Sequence, residues 1–505
     1  MEPQLPRTRL ICTLTGTTVE AMIDQALQSA ETGCDTVELR LDYLRPTPDR
    51  TEVAAIVDAC GLDVIATCRP AREGGKFTGV ESDRLAILQA ASDAGAIYID
   101  VEADVPPERR PEGTVISSRH DFETCPDDLD ELAGALDASD AAVNKIAFTA
   151  SSPADALRAF DVIRSSRKPT IALAMGPAGL ASRILAGKAG AFGTFASLTD
   201  GMESAPGQVT VATLRDLYRW DHIDADTEIY GVIGCPVAHS MSPAIHNAAF
   251  GATGINAVYV PLLIDPGAEN FNDFLDGLLA RPWLDWRGLS VTIPHKHNAL
   301  DFVSPENCDP LAVRIGAVNT ITISPDGAVR GDNTDYAAAI DALCEAMGIV
   351  REDLAGREVA VLGAGGAARA IVAALAHYKA ATTVYNRTVS RAEELAADFG
   401  ASAAGLPAAE FMHAEIIINC TPIGMHPLVD AAPLERIPES VKVVFDTIYN
   451  PIRTKLLAAA ETAGCLTVTG LDMFVNQAVA QFEMWTGKQA PRDVMRQVVM
   501  QHLDA

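Results

Sequence analysis

No two of the ten cysteines in this chain are spaced as CxxC. Scattered in this way, the thiols read as small buried hydrophobes of a reducing compartment. No segment approaches the ~18 consecutive apolar residues of a membrane span. Met1 to Thr8 is polar and broken by proline, without the apolar centre of a signal peptide, so a cytoplasmic location is expected. Positive charge is scarce. Lys and Arg number 39 against 67 Asp and Glu, a net charge of −28. Phosphate backbones and anionic membranes both select for clustered Lys and Arg, so neither nucleic acid nor a membrane is an expected partner. An anionic substrate would need cations supplied locally, which makes arginines at strand ends worth attention. Repeats, heptads and low-complexity tracts are missing. His295 and His297 flank Lys296 with no acidic partner nearby, which reads as loop surface, and no metal is expected.

What is present is too long for one core. At roughly 100–200 residues per domain, 505 residues suggest about three. Short apolar runs alternate with helical stretches up to about Tyr218. The runs are Leu10–Leu14, Thr36–Leu41, Val64–Cys68, Ala96–Asp100, Thr114–Ser118, Ala142–Phe148, Thr170–Ala174 and Ala191–Phe195. Eight strands with intervening helices in this length suggest an α/β fold, a closed (β/α)8 TIM barrel, with a doubly wound open sheet as the competitor. The polar, acidic stretch Trp220–Glu228 reads as a linker. Ile229–Gly234 opens an α/β substrate domain, and Glu358–Leu362 opens a Rossmann-type unit. The expected division is 1–220 barrel, 221–227 linker, 228–340 substrate domain joined by C-terminal helices 472–505, and 341–471 nucleotide-binding domain.

Two lysines stand out. Lys145 lies inside the apolar run Val143–Phe148, and Lys296 follows the β-branched run at Val291–Ile293. A lysine inside a buried strand must lose its charge, find a partner or do a job. Catalytic residues of such barrels sit at strand C-termini. Glu38 and Arg40, Arg69, His120 and Lys145 all hold such places. Glu38 and Arg40, two apart on one strand face, could also form a plain ion pair. Burial and neighbouring arginines favour a neutral amine. A neutral Lys145 could attack a ketone to give a Schiff base, whose iminium acidifies the adjacent carbon. His120 suits removal of that proton, followed by loss of a β-hydroxyl. Other Schiff-base barrels, aldolases among them, share this logic.

The joint pattern is narrower. Glu38-Leu39-Arg40, Cys68 to Gly75, Ser118 to Phe122, Asn144-Lys145-Ile146, Ser182-Arg183 and Ser204 to Gln208 resemble type I 3-dehydroquinate dehydratase across nearly all of 9–218. The resemblance implies Schiff-base dehydration of 3-dehydroquinate to 3-dehydroshikimate. It implies Lys145 as the Schiff-base lysine, His120 as general acid/base and Glu73 orienting it. Arg183 would hold the substrate carboxylate, and Glu38, Arg40 and Arg69 its hydroxyls. Ser204 and Gln208 would lie on a closing lid.

In the second half, Gly363-Ala364-Gly365-Gly366-Ala367-Ala368 fits G-x-G-x-x-G/A between a strand and a helix, the context a dinucleotide site requires. A NAD site places Asp or Glu at the tip of the next strand. Here that strand runs into Tyr385-Asn386-Arg387-Thr388, with Arg391 beyond, so NADP(H) is expected. Ser240 and Ser242 precede a helix and read either as plain caps or as carboxylate donors. With Thr292, Lys296, Asn319, Asp335, Asp446 to Pro451 and Met473 to Ala478, these motifs look like shikimate dehydrogenase from about Ile229 to Gln489. The resemblance implies Lys296 and Asp335 as the catalytic pair. Ser240, Ser242, Thr292, Asn319 and Gln477 would bind substrate. Tyr449, Gly470 and Met473 would border the nicotinamide. Ser290 stands where many single-domain members have Asn, as in the plant two-domain enzymes.

The chain is therefore expected to be a bifunctional lyase and oxidoreductase of aromatic precursor synthesis, with 3-dehydroquinate and 3-dehydroshikimate/shikimate as its small-molecule partners. Two alternatives remain. One fuses the dehydratase to a quinate dehydrogenase. The other is a non-enzymatic quinate-type regulator, which would be expected to have lost these lysines or His120.

Overall fold

The computed structural model describes residues 7–411 and 413–503. The chain divides into two compact units, 1–243 with 256–286, and 244–255 with 287–505.

The first unit carries the barrel strands β1 (Arg9–Leu14), β2 (Thr36–Arg40), β3 (Asp63–Thr67), β4 (Tyr98–Glu102), β5 (Val115–Asp121), β6 (Val143–Thr149), β7 (Thr170–Met175) and β8 (Gly193–Ser197). All pair in parallel in the order β7-β6-β5-β4-β3-β2-β1-β8. Every predicted run is a strand, displaced by two residues at most at its start. At the β7/β8 seam no ladder forms, but the Phe192 amide donates to the Thr170 carbonyl at 2.9 Å, so the barrel is nearly closed. Ile11, Ile65, Ile116, Val143, Ile171 and Phe192 fill its floor. The acidic stretch read as a linker is pinned rather than loose. Trp220 and Thr227 are buried, and the buried Lys188 amine donates to the Ala225 carbonyl and to Asp285. Two further parallel strands, β9 (Glu228–Gly234) and β10 (Ala257–Leu263), belong to this unit.

In the second unit, β11 (Trp286–Val291), β12 (Thr320–Ile323) and β13 (Val329–Asp332) run antiparallel to one another in turn. Then come β14 (Glu358–Leu362), β15 (Ala381–Asn386), β16 (Ser402–Gly405), β17 (Ile416–Asn419), β18 (Val443–Asp446) and β19 (Leu466–Val468). They form a parallel sheet in the order β16-β15-β14-β17-β18-β19. This is the dinucleotide-binding order, with its switch point at the C-terminal edge of β14. β14 and β17 are buried on both faces, which is why they read as continuous apolar runs. The helix Gly470–Thr486 packs along Thr334–Met347, the return of the C-terminal helices that the sequence suggests. Among the described residues no helix is long and apolar enough to cross a membrane.

Candidate active sites

The barrel interior is built in layers, each fed by alternate strands. One layer takes Glu38 from β2, Asp100 from β4, Lys145 from β6 and Phe195 from β8. The Lys145 ammonium donates to Asp100 at 2.8 Å and to Glu38 at 3.3 Å, and lies 4.1 Å from the centre of the Phe195 ring. Its bonded neighbours are therefore carboxylates and not the arginines the sequence emphasises. The reason is the layer: the residues that meet across a barrel sit on strands that are not adjacent in sequence.

Glu38 and Arg40 do not pair. Glu38 accepts from Thr67 at 2.9 Å and from Thr13 at 3.2 Å. Arg40 makes a fork-on-fork contact with Asp42, both bonds at 2.9 Å. Arg69 bridges Asp100 at 2.8 Å and Glu102 at 2.7 Å. His120 is held twice by one Glu73 oxygen, through its amide at 3.0 Å and its Nδ1 at 3.2 Å. That contact assigns the ring proton to Nδ1 and leaves Nε2 as the basic nitrogen. The ring stacks on Phe122, with centroids 5.9 Å apart. Burial, reinforced by the cations of Arg69 and Lys145, pushes the His120 pKa well below its ordinary value. Burial also raises the Glu73 carboxyl, against the His120 amide and Arg119.

Arg183 is 2% exposed and pairs with no carboxylate; one Nη donates to the Phe195 carbonyl at 3.3 Å, and its Nε has no partner among the described residues. Burial pushes its pKa down to about 10. An unpaired buried guanidinium is costly, and a planar carboxylate is what its fork fits. Gln208 bonds Ser204 at 2.7 Å and Thr13 at 3.2 Å, which ties the loop after β8 to the end of the adjacent strand β1. Glu38, Arg40, Arg69, Glu73, His120, Lys145, Arg183, Ser204 and Gln208, the full set expected for this half, line one pocket. Sequence reading missed Asp100, Glu102 and Ser118, as well as the Phe122 and Phe195 rings. The available signal was Asp100 and Glu102 at i and i+2 on a strand otherwise apolar.

In the second unit, Lys296 opens the helix Lys296–Val303 and Asp335 lies in the first turn of Thr334–Met347. Their charged groups meet at 2.5 Å, each side chain still partly open to solvent. Asn333 caps the latter helix by accepting from the Asp335 amide at 3.1 Å. Asn319 is 3% exposed; its carbonyl oxygen accepts from the Thr334 amide at 2.7 Å and Thr320 at 2.7 Å, and its amide donates to Thr334. One amide hydrogen of Asn319 has no partner among the described residues. Thr292 is half-buried at the turn into the Lys296 helix, where its carbonyl accepts from the His295 amide. Among the described residues Gln477 bonds its own helix, at the Phe474 carbonyl. The unusual Ser290 has a structural partner, Gln481, at 2.8 Å; Gln481 also donates to Thr320. His297 has an acidic neighbour that the sequence reading overlooked. Asp301 is one helical turn on, at 3.2 Å, with both side chains largely exposed. Ser240 and Ser242 lie in the first unit, half-buried, with the Ser240 hydroxyl accepting from the Ser242 amide at 3.3 Å. No group of three or more His, Cys, Asp or Glu able to hold a metal occurs among the described residues.

The nucleotide motif has the required shape. Gly363 has φ +109°, and a Cβ there would press on the Cys420 carbonyl at 3.0 Å. At Gly365 and Gly366 an added Cβ would meet nothing within 4 Å. Those positions therefore need no glycine for internal packing, which leaves an open cradle at the N-terminus of the helix Gly366–His377, as pyrophosphate requires. Ala368 is fully buried against the sheet. Past β15, Asn386 donates to the Thr388 carbonyl, and the exposed guanidiniums of Arg387 and Arg391 enter no ion pair among the described residues. Asp446 is buried and accepts from Thr454 at 2.7 Å, Asn419 at 3.0 Å and the Ile448 amide at 3.1 Å, fixing the turn that presents Tyr449. Tyr449 stacks on Phe474 with centroids 4.7 Å apart. Gly470 lies so close to the Thr447–Ile448 backbone that a Cβ would sit 2.4 Å from it. Tyr449, Gly470 and Met473 are thereby gathered where β18 ends and the helix Gly470–Thr486 begins.

Family models match the chain in this order. Type I 3-dehydroquinase covers residues 10–225, and the shikimate dehydrogenase substrate binding domain covers 232–321. Shikimate / quinate 5-dehydrogenase covers 345–459, and the shikimate 5'-dehydrogenase C-terminal domain covers 470–500. A bifunctional 3-dehydroquinate dehydratase/shikimate dehydrogenase of Arabidopsis thaliana, described as chloroplastic, is 38% identical over 98% of this chain and 84% of its own length. A shikimate dehydrogenase (NADP(+)) of Methanosarcina acetivorans is 43% identical over 55% of this chain and 99% of its own. A solved shikimate dehydrogenase in complex with NADP+ is 39% identical, with TM-score 0.50, over 56% of this chain and 97% of its own.

Proposed function

This chain belongs to the family of bifunctional 3-dehydroquinate dehydratase/shikimate dehydrogenases, and from that premise we propose how its residues divide the two reactions. The barrel, 1–220, dehydrates 3-dehydroquinate to 3-dehydroshikimate. The dehydrogenase half, a substrate domain at 228–340 with helices 472–505 and a nucleotide domain at 341–471, reduces that product to shikimate with NADPH.

In the barrel, Lys145 condenses with the substrate ketone. The ammonium and ketone become a protonated imine and one water, so the charge on nitrogen is unchanged. The imine withdraws electrons from the adjacent carbon, and His120 Nε2 takes the proton there. His120 then returns it to the β-hydroxyl as that group leaves as water, and one water hydrolyses the product imine, restoring the Lys145 amine and releasing 3-dehydroshikimate. Glu73 holds the ring at Nδ1 throughout. Arg183 receives the carboxylate. The observation that carries this reading is a buried amine, a neutral imidazole and an unpaired buried guanidinium on the wall of one pocket.

Because the His120 pKa is depressed, its basic form persists as the pH falls below 6.5. The acid limb of the dehydratase kcat/KM is therefore expected well below the free-imidazole range, measured on supplied 3-dehydroquinate. An acid limb at or above about 6.5, the free-imidazole value, would remove His120 as a desolvated base. Stability has a related sign. Between the two pKa values the unfolded chain binds the extra proton, so His120 subtracts stability as pH drops below 6.5 and contributes nothing above it.

In the dehydrogenase half, the bound cofactor supplies hydride. Lys296, aimed by Asp335, gives a proton to the oxygen that gains charge. Ser240 and Ser242 take the substrate carboxylate, while Thr292, Asn319 and Gln477 take ring oxygens. Gly363, Ala364, Gly365, Gly366 and Ala367 would hold the pyrophosphate. Asn386, Arg387, Thr388 and Arg391 would bind the ribose 2′-phosphate. Arg387→Asp is expected to raise KM for NADPH by about 100-fold, from loss of one charge-assisted fork and addition of a repelling charge, while KM for NADH changes little. Equal losses for both cofactors would remove Arg387 from 2′-phosphate recognition.

The overall test is NADPH oxidation on adding 3-dehydroquinate alone. Consumption means the two sites act in sequence. A silent mixture that responds to 3-dehydroshikimate would leave the barrel without its assigned role.

A further inference from the structure

We infer that Asp100 is the counter-ion of the Schiff-base nitrogen: its carboxylate, lying behind the Lys145 amine, keeps the imine protonated so that it can act as an electron sink. The inference rests on Lys145 being the Schiff-base lysine.

Two carboxylates touch the amine, and their surroundings differ. Glu38 lines the substrate pocket. Asp100 is fully buried and is not part of the pocket wall, so it reaches the chemistry only through the amine. Its oxygens are fully committed. Oδ1 accepts from Ser118 at 2.6 Å, and Oδ2 accepts from Arg69 and Lys145, both at 2.8 Å. A carboxylate so engaged cannot rotate toward a substrate. Burial alone would raise its pKa, but Arg69 and Lys145 overcome that and hold it far below the usual carboxylate range. It is therefore an anion at every pH where the enzyme works, and a poor proton acceptor.

The charge balance suits this role. Ammonium plus ketone gives iminium plus water, with one positive charge on nitrogen before and after. A fixed anion at 2.8 Å serves both states without rearrangement. Only the protonated imine acidifies its neighbouring carbon strongly. The charged and titratable groups around this pair are Glu38 on β2, Arg69 after β3, Glu102 on β4 and the neutral His120 on β5, with Arg40 and Arg183 on the pocket wall. Arg69 also pairs with Glu102 at 2.7 Å, and Glu102 in turn with Arg84 at 2.6 Å, so the Asp100 carboxylate is shared between Arg69 and Lys145.

The experiment is the pH profile of dehydratase kcat for wild type, Asp100→Asn, Asp100→Glu and Ser118→Ala, followed by absorbance of the conjugated enone product. Loss of the anion is expected to move the alkaline limb of Asp100→Asn about one to three pH units lower, the usual effect of an opposite charge at this range. Asp100→Glu keeps the charge and is expected to keep the wild-type limb at a reduced rate. Ser118→Ala removes an uncharged donor to Asp100 but keeps the carboxylate, and should leave the limb in place. A shifted Asn profile with unshifted Glu and Ala profiles supports the counter-ion. An Asn limb coincident with wild type, or a Glu limb shifted equally, overturns it. Borohydride reduction of wild type with 3-dehydroquinate, followed by peptide mass analysis, separates this from the premise. An adduct away from Lys145 rejects the Schiff-base assignment itself, whatever the profiles do.

Discussion

Lys145→Ala stops NADPH consumption from 3-dehydroquinate and leaves the reduction of supplied 3-dehydroshikimate at its wild-type rate. Removal of a covalent nucleophile from an assembled site costs roughly 10⁴-fold or more in kcat. At 1.36 kcal/mol per decade that is about 5 kcal/mol or more of lost transition-state stabilisation. Nothing else in the pocket can take over, because His120 and the arginines cannot form an imine. The same change strands buried charge. Glu38 loses the cation it touches at 3.3 Å, but Asp100 keeps Arg69 at 2.8 Å. The stability loss should therefore fall below the ~3–5 kcal/mol of a fully orphaned buried ion. Lys145→Met, closer in volume, should fold and be equally inactive. Either variant retaining more than about a hundredth of wild-type dehydration would sink the covalent mechanism.

The second large effect is expected from Lys296→Ala. General acid catalysis contributes about 10²–10⁴-fold, so the reduction of 3-dehydroshikimate should fall by about 10³-fold, near 4 kcal/mol. Dehydration of 3-dehydroquinate should continue at the normal rate, with 3-dehydroshikimate accumulating. KM should change much less than kcat if Lys296 acts mainly on the developing oxyanion. Folding should be little affected, since the pair with Asp335 is partly open to solvent and exposed pairs contribute only about 0–1 kcal/mol. A variant with altered KM and normal kcat would make Lys296 a binding residue only. The contrast between the two variants also bears on the alternatives. A regulator would show neither activity in the wild type. A quinate dehydrogenase would favour quinate in the reverse direction.

Much of the site was legible because of periodicity. A charged residue inside an apolar strand, such as Lys145, or at a strand tip, such as Arg69 or His120, breaks a pattern that burial imposes. Five such residues, Glu38, Arg40, Arg69, His120 and Lys145, line one pocket, whereas Glu73, Arg183, Ser204 and Gln208 were legible only through the family resemblance. The glycine motif was legible for a related reason: it sits between a buried strand and a helix, where open backbone has few other uses. Acidity alone suggests solvent exposure for the stretch 220–228, which reads as a linker. Its backbone carbonyl at Ala225 is instead held by an amine, Lys188, that lies far back in the sequence.

By itself, the sequence determined the strand order of events: eight barrel strands, the nucleotide fold and the residue types at each rim. Local spacing is enough for that, since side-chain direction alternates every residue along a strand. Which charge meets which was decided only by tertiary structure. Lys145 faces Asp100 and Glu38 because β2, β4 and β6 contribute to the same layer, although neither β2 nor β4 lies next to β6 in the sheet. The same closure leaves Arg183 without a carboxylate partner among the described residues. Contacts across a barrel depend on register summed over several strands, and no short stretch of sequence carries that sum.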